Sequence, residues 1–181
     1  MRTLSVVVGL LVLGGVACTQ APSSTPSATP SSTPDGRLAQ VMRGILFPNS
    51  NILFDVQVND PGAPPVKKEG DTGSASSAFA SIYTGWQVVE NAAVALEEAA
   101  DIISKPGRLC ENGKPIPLAE ATFKQGIEKL RAAAKATLIA AKTKNQEKVG
   151  DLTNDVAGAC STCHEVYRDK GDAGSPLRCV P

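Results

Sequence analysis

The chain has 181 residues with 18 basic and 18 acidic side chains, and only 4% of its residues are aromatic. This length is sufficient for one globular domain with its own hydrophobic core, in addition to terminal segments. The zero formal net charge argues against a nucleic-acid-binding protein, because such proteins normally carry a basic excess. A single histidine, His164, excludes any site that needs two imidazole groups. Abundant alanine and few aromatic residues favour helices over sheets.

The first 17 residues have the pattern of an export signal. Arg2 is followed by an apolar run from Leu4 to Val16, and Ala17 precedes Cys18. The run is shorter than the about 20 residues that a membrane span needs, so cleavage is expected. Cys18 follows the apolar run directly, which is the position of the lipidated cysteine in bacterial lipoproteins, and Cys18 is therefore predicted to be lipidated. Ordinary cleavage after Ala17, which would leave an unmodified Cys18, is the alternative.

Residues 18–35 are predicted to be a tether. Serine, threonine and proline dominate this segment, and it has almost no apolar surface to bury, so it cannot offset the entropy of folding. Prolines recur at every fourth position: Pro22, Pro26, Pro30 and Pro34. Such a chain is extended and semi-rigid and would hold a domain away from a membrane surface. The folded domain is expected over residues 36–181.

Apolar residues within this domain recur at the three- and four-residue spacing of amphipathic helices. Helices are predicted near residues 36–47, 75–104, 118–143 and 146–170. Pro48 is interpreted as the end of the first helix, and Asn145 as the N-cap of the last. Segment 48–74 is predicted to be a long connection with room for a short helix after Pro48. Four helices that share one core make an all-α, antiparallel four-helix bundle.

The chemical signature of the chain is the sequence Cys160-Ser161-Thr162-Cys163-His164. Cysteines three residues apart lie on one face of a helix, where both thiols can add to the vinyl groups of a haem. The histidine that follows then supplies an axial nitrogen, and this C-x-x-C-H pattern is typical of c-type haem attachment. Export fits, because c-type haem is attached outside the cytoplasm. One covalent haem c, held by Cys160, Cys163 and His164, is predicted on the C-terminal helix.

Two other interpretations of this motif are weaker. A thioredoxin-like dithiol needs a strand–helix context that the helical pattern does not offer. A structural zinc site needs a fourth ligand, and only the distant Cys110 or Cys179 is available.

Haem attachment on the last helix of a four-helix bundle resembles the class II cytochromes c, the group that contains cytochrome c′ (c prime). The resemblance covers about residues 36–170, and Tyr167 and Arg168 follow His164 at the spacing it implies. It also implies that Arg168 contacts the haem propionates or His164, with Arg43 as a second candidate. The chain departs from the family in the long connection after Pro48 and in its cysteine-bearing tail.

The resemblance implies two alternative functions. Six-coordinate members place a methionine from the first helix on the iron and carry electrons, whereas five-coordinate members bind nitric oxide or carbon monoxide. Met42 lies in the first predicted helix, and the chain has no other methionine except Met1. In an up-down bundle, Met42 and His164 would both lie about 9 Å from the same end, at about 1.5 Å rise per residue, and so face each other across the haem. Packing in the core is the other role open to Met42.

A methionine-ligated electron carrier, with His164 and Met42 as axial ligands, is therefore predicted. The alternative is a five-coordinate protein that binds or senses small gases. The chain is not expected to be an enzyme. In a haem peroxidase, for example, a further imidazole would have to perform acid–base chemistry, and His164 is already used as a ligand.

The remaining two cysteines are expected to form a disulfide. An up-down bundle brings the loop between the second and third helices, which carries Cys110, to the same end as the tail after the fourth helix, which carries Cys179. An oxidising compartment would then allow them to pair. Two free thiols are the alternative.

Charge is segregated along the chain, with acids on the second helix and seven bases in residues 118–148. This pattern favours either a docking surface for redox partner proteins or solvated outer faces. A homodimer is left open, and no nucleic-acid partner is expected. The predicted location is the periplasm or the surface of the outer membrane or cell membrane, with membrane attachment only through a lipid on Cys18.

Overall fold

The computed structural model describes residues 33–64, 83–169 and 175–181. These residues belong to one compact unit, Ser32–Pro181. The export signal, Cys18 and nearly all of the tether lie outside the described residues. In the described ranges the chain is helical, and its only β-type pairing is an isolated bridge between Leu109 and Pro115. None of the helices in these ranges has the length and apolar character of a membrane span.

In the part of the chain that the structure describes, four helices pack into a bundle, which confirms the predicted all-α four-helix architecture. Helix α1 runs without a break through three segments: Leu38–Val41, the π-helical Met42–Leu46 and Phe47–Asp55. Helix α2 is Trp86–Ile103 and helix α3 is Ala121–Lys142. Helix α4 is Gln146–His164 and continues as a π-helical turn, Glu165–Asp169.

The short helix expected after Pro48 is present as Phe47–Asp55, but it continues the first helix, so α1 is longer than predicted and the predicted end at Pro48 is wrong. Proline lacks a backbone N–H and its ring clashes with the carbonyl four residues earlier, which is Gly44 here. In the structure the Phe47 N–H instead donates to the carbonyl of Met42, five residues back, so the turn before Pro48 is a wide π-turn. Pro48 then occupies the first turn of the next helical segment, where a missing N–H is tolerated. The connection therefore begins after Asp55.

Helix α2 begins later than predicted, at Trp86 instead of near residue 75. Gly85 precedes it with φ 63°, a backbone conformation that residues with side chains rarely adopt. A β-carbon at Gly85 would also lie 2.8 Å from the Pro61 carbonyl oxygen. This turn precedes α2 and leaves Tyr83, which falls inside the helix predicted near residues 75–104, exposed to solvent. The predicted helical residues 75–82 lie outside the described ranges.

The core is built from the apolar stripes of α2, α3 and α4, and alanine makes up much of it. On α2, the fully buried Ala93 and Ala100 share one apolar stripe with Leu96 and Ile103. Helix α3 contributes the fully buried Ala134. Such small side chains permit close approach of neighbouring helices. The buried apolar side chains of the three helices are Trp86, Val89, Ala92, Ala93, Leu96, Ala99, Ala100, Ile103, Phe123, Ile127, Leu130, Ala133, Ala134, Ala140, Ala141, Val149, Leu152, Val156 and Ala159.

The start of α4 is fixed by Asn145, as predicted. Its side-chain oxygen accepts a hydrogen bond of 2.9 Å from the backbone N–H of Lys148, which satisfies one of the free N–H groups of the first turn. Only residues 143–145 separate α3 from α4, so the two helices run antiparallel along each other. The C-x-x-C-H motif consequently lies beside the N-terminal part of α3.

Candidate functional site

A cavity of about 310 Å³ lies between α1, α3, the C-terminal part of α4 and the chain's tail. This volume falls in the range of small-molecule and cofactor sites. Its lining is mostly apolar, with Leu38 and Leu46 from α1 and Phe123 and Leu130 from α3. The predicted site residues Met42, Arg43, Cys160, Cys163, His164, Arg168 and Cys179 all line it as well.

Cys160 and Cys163 lie side by side on the α4 wall as half-buried free thiols. Burial raises the pKa of the Cys160 thiol, and the positive charge of Arg168 only partly opposes this shift. Burial, with a smaller contribution from Cys160, raises the pKa of the Cys163 thiol to about 11. A redox-active dithiol has a lowered thiol pKa, so these values do not favour the thioredoxin-like alternative. Two neutral thiols in an apolar wall suit thioether formation.

His164 is the last residue of the regular part of α4, and its imidazole lines the same cavity. Burial lowers its pKa, and the positive charge of Arg168 lowers it further, against the opposing effect of Asp169. The neutral imidazole is therefore favoured, and this is the form that can donate a lone pair to a metal. Within the described residues, no group of three or more His, Cys, Asp or Glu side chains could hold a metal ion, which gives the zinc alternative no support.

Met42, on α1, also lines the cavity. It is the first residue of the π-turn and is partly buried against the hydrophobic core. The structure thus brings Met42 and His164 to one cavity from two different helices. This placement is compatible with axial ligation and also with packing, the two roles that the sequence leaves open.

Two arginines with acidic partners border the cavity. The Arg43 Nη2 atom lies 3.0 Å from Glu111 Oε1, and the Arg168 Nε atom lies 2.5 Å from Asp169 Oδ1. Both pairs are at least partly exposed to solvent, and ion pairs of this kind are weak. The guanidinium groups could therefore exchange these partners for the carboxylates of a bound ligand.

A disulfide joins Cys110 and Cys179, the pairing expected from the sequence. It ties the loop between α2 and α3 to the C-terminal tail, and hydrogen bonds reinforce the link. The Cys179 N–H donates to the Tyr167 carbonyl at 2.8 Å, and the Glu111 N–H donates to the Cys179 carbonyl at 3.0 Å. Cys179 and Glu111 both line the cavity, so the disulfide forms part of its wall.

Aromatic packing anchors the end of α4 to α3 beneath the site. Phe123 and Tyr167 are both buried, and their rings meet edge to face with centroids 5.7 Å apart. This arrangement is a favourable one for aromatic pairs. It holds the turn that follows His164 against α3.

Glu111 and Gly126 are among the cavity-lining residues that the sequence does not assign to the site. Glu111 was given no role, although its position next to Cys110 placed it in the loop that the disulfide brings to the site. Gly126 of α3 also lines the cavity, and a glycine in the middle of a helix was the only signal that could have found it. Cys18, the predicted lipidation site, lies outside the described residues.

Residues 116–168 match the family model of cytochrome c′. The matched region contains α3, α4 and the C-x-x-C-H motif, whereas α1 with Met42 and the tail with Cys179 lie outside it. Comparison with curated proteins found no match, and neither did comparison with solved structures. The family match supports the resemblance to cytochrome c′ and, with it, a c-type cytochrome.

Proposed function

We propose that this chain is an exported cytochrome of the cytochrome c′ family that carries single electrons through one covalently bound haem c. The observation that carries the proposal is the convergence of Cys160, Cys163 and His164 on one apolar cavity. When bound, the haem supplies one-electron redox chemistry at its iron. The protein's part is to hold it, exclude water from it and set its axial ligands.

Each of these residues has a definite task in this proposal. The Cys160 and Cys163 thiols attach the cofactor to α4, and the neutral His164 imidazole supplies an axial nitrogen. Arg168 and Arg43 border the cavity and provide positive charge for the propionate carboxylates. The apolar residues of α1 and α3 keep water away from the ring, which tunes its potential.

We infer further that the Met42 sulfur is the second axial ligand. This inference is supported by the fact that Met42 lines the same cavity as His164 and lies on a different helix, α1. A methionine–histidine ligand pair raises the reduction potential of a haem, which suits an electron carrier.

The alternative is a five-coordinate protein that binds nitric oxide or carbon monoxide. Leu38 and Leu46 favour it, because these apolar side chains flank Met42 on α1 and would enclose an open iron face. In this case Met42 packs beside the ring and leaves the iron free on one side.

Absorption spectra of the oxidised and reduced protein, with and without carbon monoxide, distinguish these functions. Methionine ligation predicts low-spin iron in both states, a methionine–iron charge-transfer band when oxidised, and slow or absent carbon monoxide binding. Met42→Leu keeps the side-chain volume but removes the sulfur, and it should give a high-spin ferrous form that binds carbon monoxide at once. Leu46→Ala, which alters the same wall without removing a ligand, is the matched control and should stay low-spin.

Two results would contradict the proposal at different levels. A high-spin ferrous wild-type protein that binds carbon monoxide at once would favour the gas-binding alternative. A wild-type protein that carries no covalent haem after export would remove both functions.

We also propose that Cys18 is lipidated, so that the protein is tethered to a membrane outside the cytoplasm. Incorporation of a labelled fatty acid should be seen in the wild type and lost in Cys18→Ser, while unlabelled wild type would indicate cleavage without lipidation.

A redox partner protein remains part of the proposal, with a homodimer as the other association to be tested. Some of the segregated charge is used within the bundle, because Arg131 of α3 pairs with Asp101 of α2 at 2.7 Å. The partner protein would therefore contact only those charged side chains of α2 and α3 that are not paired within the bundle. A salt-dependent rate of electron exchange, and sedimentation to define the oligomeric state, would test this point.

A further inference from the structure

Helix α3 lies close to the haem-attachment motif at Gly126. This glycine is buried within the 22-residue helix α3 and lines the cavity. A β-carbon at this position would overlap the Cys163 sulfur, and it would lie 3.7 Å from both Cys163 Cβ and Thr162 Cγ2. The Cys163 sulfur thus occupies space that any residue other than glycine would fill.

The conflict involves a single atom of the neighbouring helix. The contacts to Cys163 Cβ and Thr162 Cγ2 would be of ordinary van der Waals length, so an alanine at position 126 would be tolerated except for the sulfur. Cys160 is not among the atoms that this β-carbon would meet. The space left by Gly126 therefore serves one of the two cysteines.

A glycine in a helix interior has a cost, since it is less favourable there than alanine. Gly158 on α4 provides a comparison, because a β-carbon there would meet nothing within 4 Å. Gly126 differs from it in that its missing side chain leaves room for a functional atom.

We propose that Gly126 is a positioning residue for the Cys163 thioether. The inference rests on the proposed covalent haem and adds a residue that the C-x-x-C-H motif does not contain. In the attachment step the Cys163 thiol adds across a vinyl double bond, so that sulfur bonds to one carbon and the thiol hydrogen goes to the other. No group leaves, and no external oxidant or reductant is consumed. A side chain at position 126 would displace the sulfur from this place on the cavity wall.

The test compares Gly126→Ala with the wild type and with Gly158→Ala as the matched control. All are produced in a host that exports and matures c-type cytochromes. The haem-bearing protein is denatured without reductant and treated with an alkylating reagent, and peptide mapping locates the label. A second readout is the α-band of the denatured protein in alkaline pyridine, which moves to longer wavelength when one thioether is missing.

The expected result is specific for Cys163. Thioether formation is irreversible, so a displaced sulfur is detected as unattached thiol: Cys163 should be labelled in a measurable fraction of Gly126→Ala molecules and should stay unlabelled in the wild type. The α-band should move towards that of Cys163→Ala, which retains only the Cys160 thioether. Cys160 should stay unlabelled, and Gly158→Ala should match the wild type in both readouts.

A protected Cys163 in Gly126→Ala, or equal labelling in Gly158→Ala, would overturn the proposal. If Gly126→Ala yields too little protein, the haem content of Cys163→Ala is compared with that of the double variant Gly126→Ala/Cys163→Ala. The two should be equal, because an alanine at 163 has no sulfur to displace. A lower content in the double variant would show that Gly126 acts through helix packing. Absence of covalent haem in the wild type would instead reveal that the proposed function itself is wrong.

Discussion

Removal of the Cys110–Cys179 disulfide is the perturbation whose effect on stability can be calculated most directly. The bond joins residues 69 positions apart in sequence, and both cysteines are buried. In the chain-entropy model, a crosslink that closes a loop of this length lowers the conformational entropy of the unfolded chain. It thereby raises the free energy of unfolding by about 4 kcal/mol at 25 °C. A domain of this size is typically stable by only about 5–15 kcal/mol, so the loss would be large.

The measurement is urea unfolding of the haem-bearing protein, followed by far-ultraviolet circular dichroism. The double variant Cys110→Ala/Cys179→Ala should lose about 4 kcal/mol in the free energy of unfolding. With an m-value of about 2 kcal/mol/M, its midpoint would fall by about 2 M urea. Wild-type protein treated with a thiol reductant should move in the same direction.

A matched control separates the covalent link from the contacts beside it. The Asn112 Nδ2 group donates a 2.6 Å hydrogen bond to the Arg178 carbonyl and so also joins the loop to the tail. Asn112→Ala removes this bond together with longer ones to the Val180 carbonyl and from the Lys114 N–H. It should cost only about 1–2 kcal/mol, because each such hydrogen bond contributes little on balance. An unchanged midpoint in the cysteine double variant would refute the reasoning. So would alkylation of Cys110 and Cys179 in wild-type protein denatured without reductant.

Three further predictions concern the helices around the site. Pro48→Ala restores a backbone N–H, so the π-turn should close into an α-turn and rotate Met42; a methionine–iron charge-transfer band in the absorption spectrum should weaken, and an unchanged band would contradict this role. Arg108→Met removes a buried guanidinium that donates to backbone carbonyl groups of other segments, and urea unfolding should show a loss of about 1–3 kcal/mol, whereas a neutral result would contradict it. The hydrogen bond from Arg131 lowers the pKa of Asp101, so the stability this pair contributes is present above the ordinary aspartate pKa and is lost as pH falls through the lowered one. The midpoint temperature of thermal unfolding of Asp101→Asn should therefore lie below that of the wild type at neutral pH and converge with it in acid. A difference between the two midpoints that stays constant with pH would contradict the assignment.

The candidate haem site was predictable from sequence where the information is local. The spacing of Cys160, Cys163 and His164 places the three side chains on one part of a helix surface, and the structure brings them to one cavity. The disulfide was predictable for a different reason. Bundle topology alone brings Cys110 and Cys179 to the same end, whatever the details of the loop.

The predicted end of α1 and the predicted start of α2 are wrong because each depends on a local sequence rule that does not account for the conformation of a neighbouring turn. Pro48 was expected to end α1 because an α-helix needs the N–H that proline lacks. A π-turn before Pro48 removes that conflict, and the rule that a proline ends a helix does not anticipate such a turn. The start of α2 was placed too early because the apolar pattern continues through Tyr83, while the position of Gly85 against Pro61 depends on a contact between distant segments.

The two side chains proposed as axial ligands both adjoin irregular helical turns. Met42 begins the π-turn of α1, and His164 directly precedes the π-turn Glu165–Asp169 of α4. Each π-turn holds one residue more than an α-turn, so it rotates the side chains that follow relative to those before it. Regular α-helical periodicity therefore does not predict the direction of the Met42 side chain. It does predict the directions of the Cys160 and Cys163 thiols, because both cysteines lie within regular α-helix. The direction of Met42 depends instead on Pro48, which lies outside any haem-binding pattern.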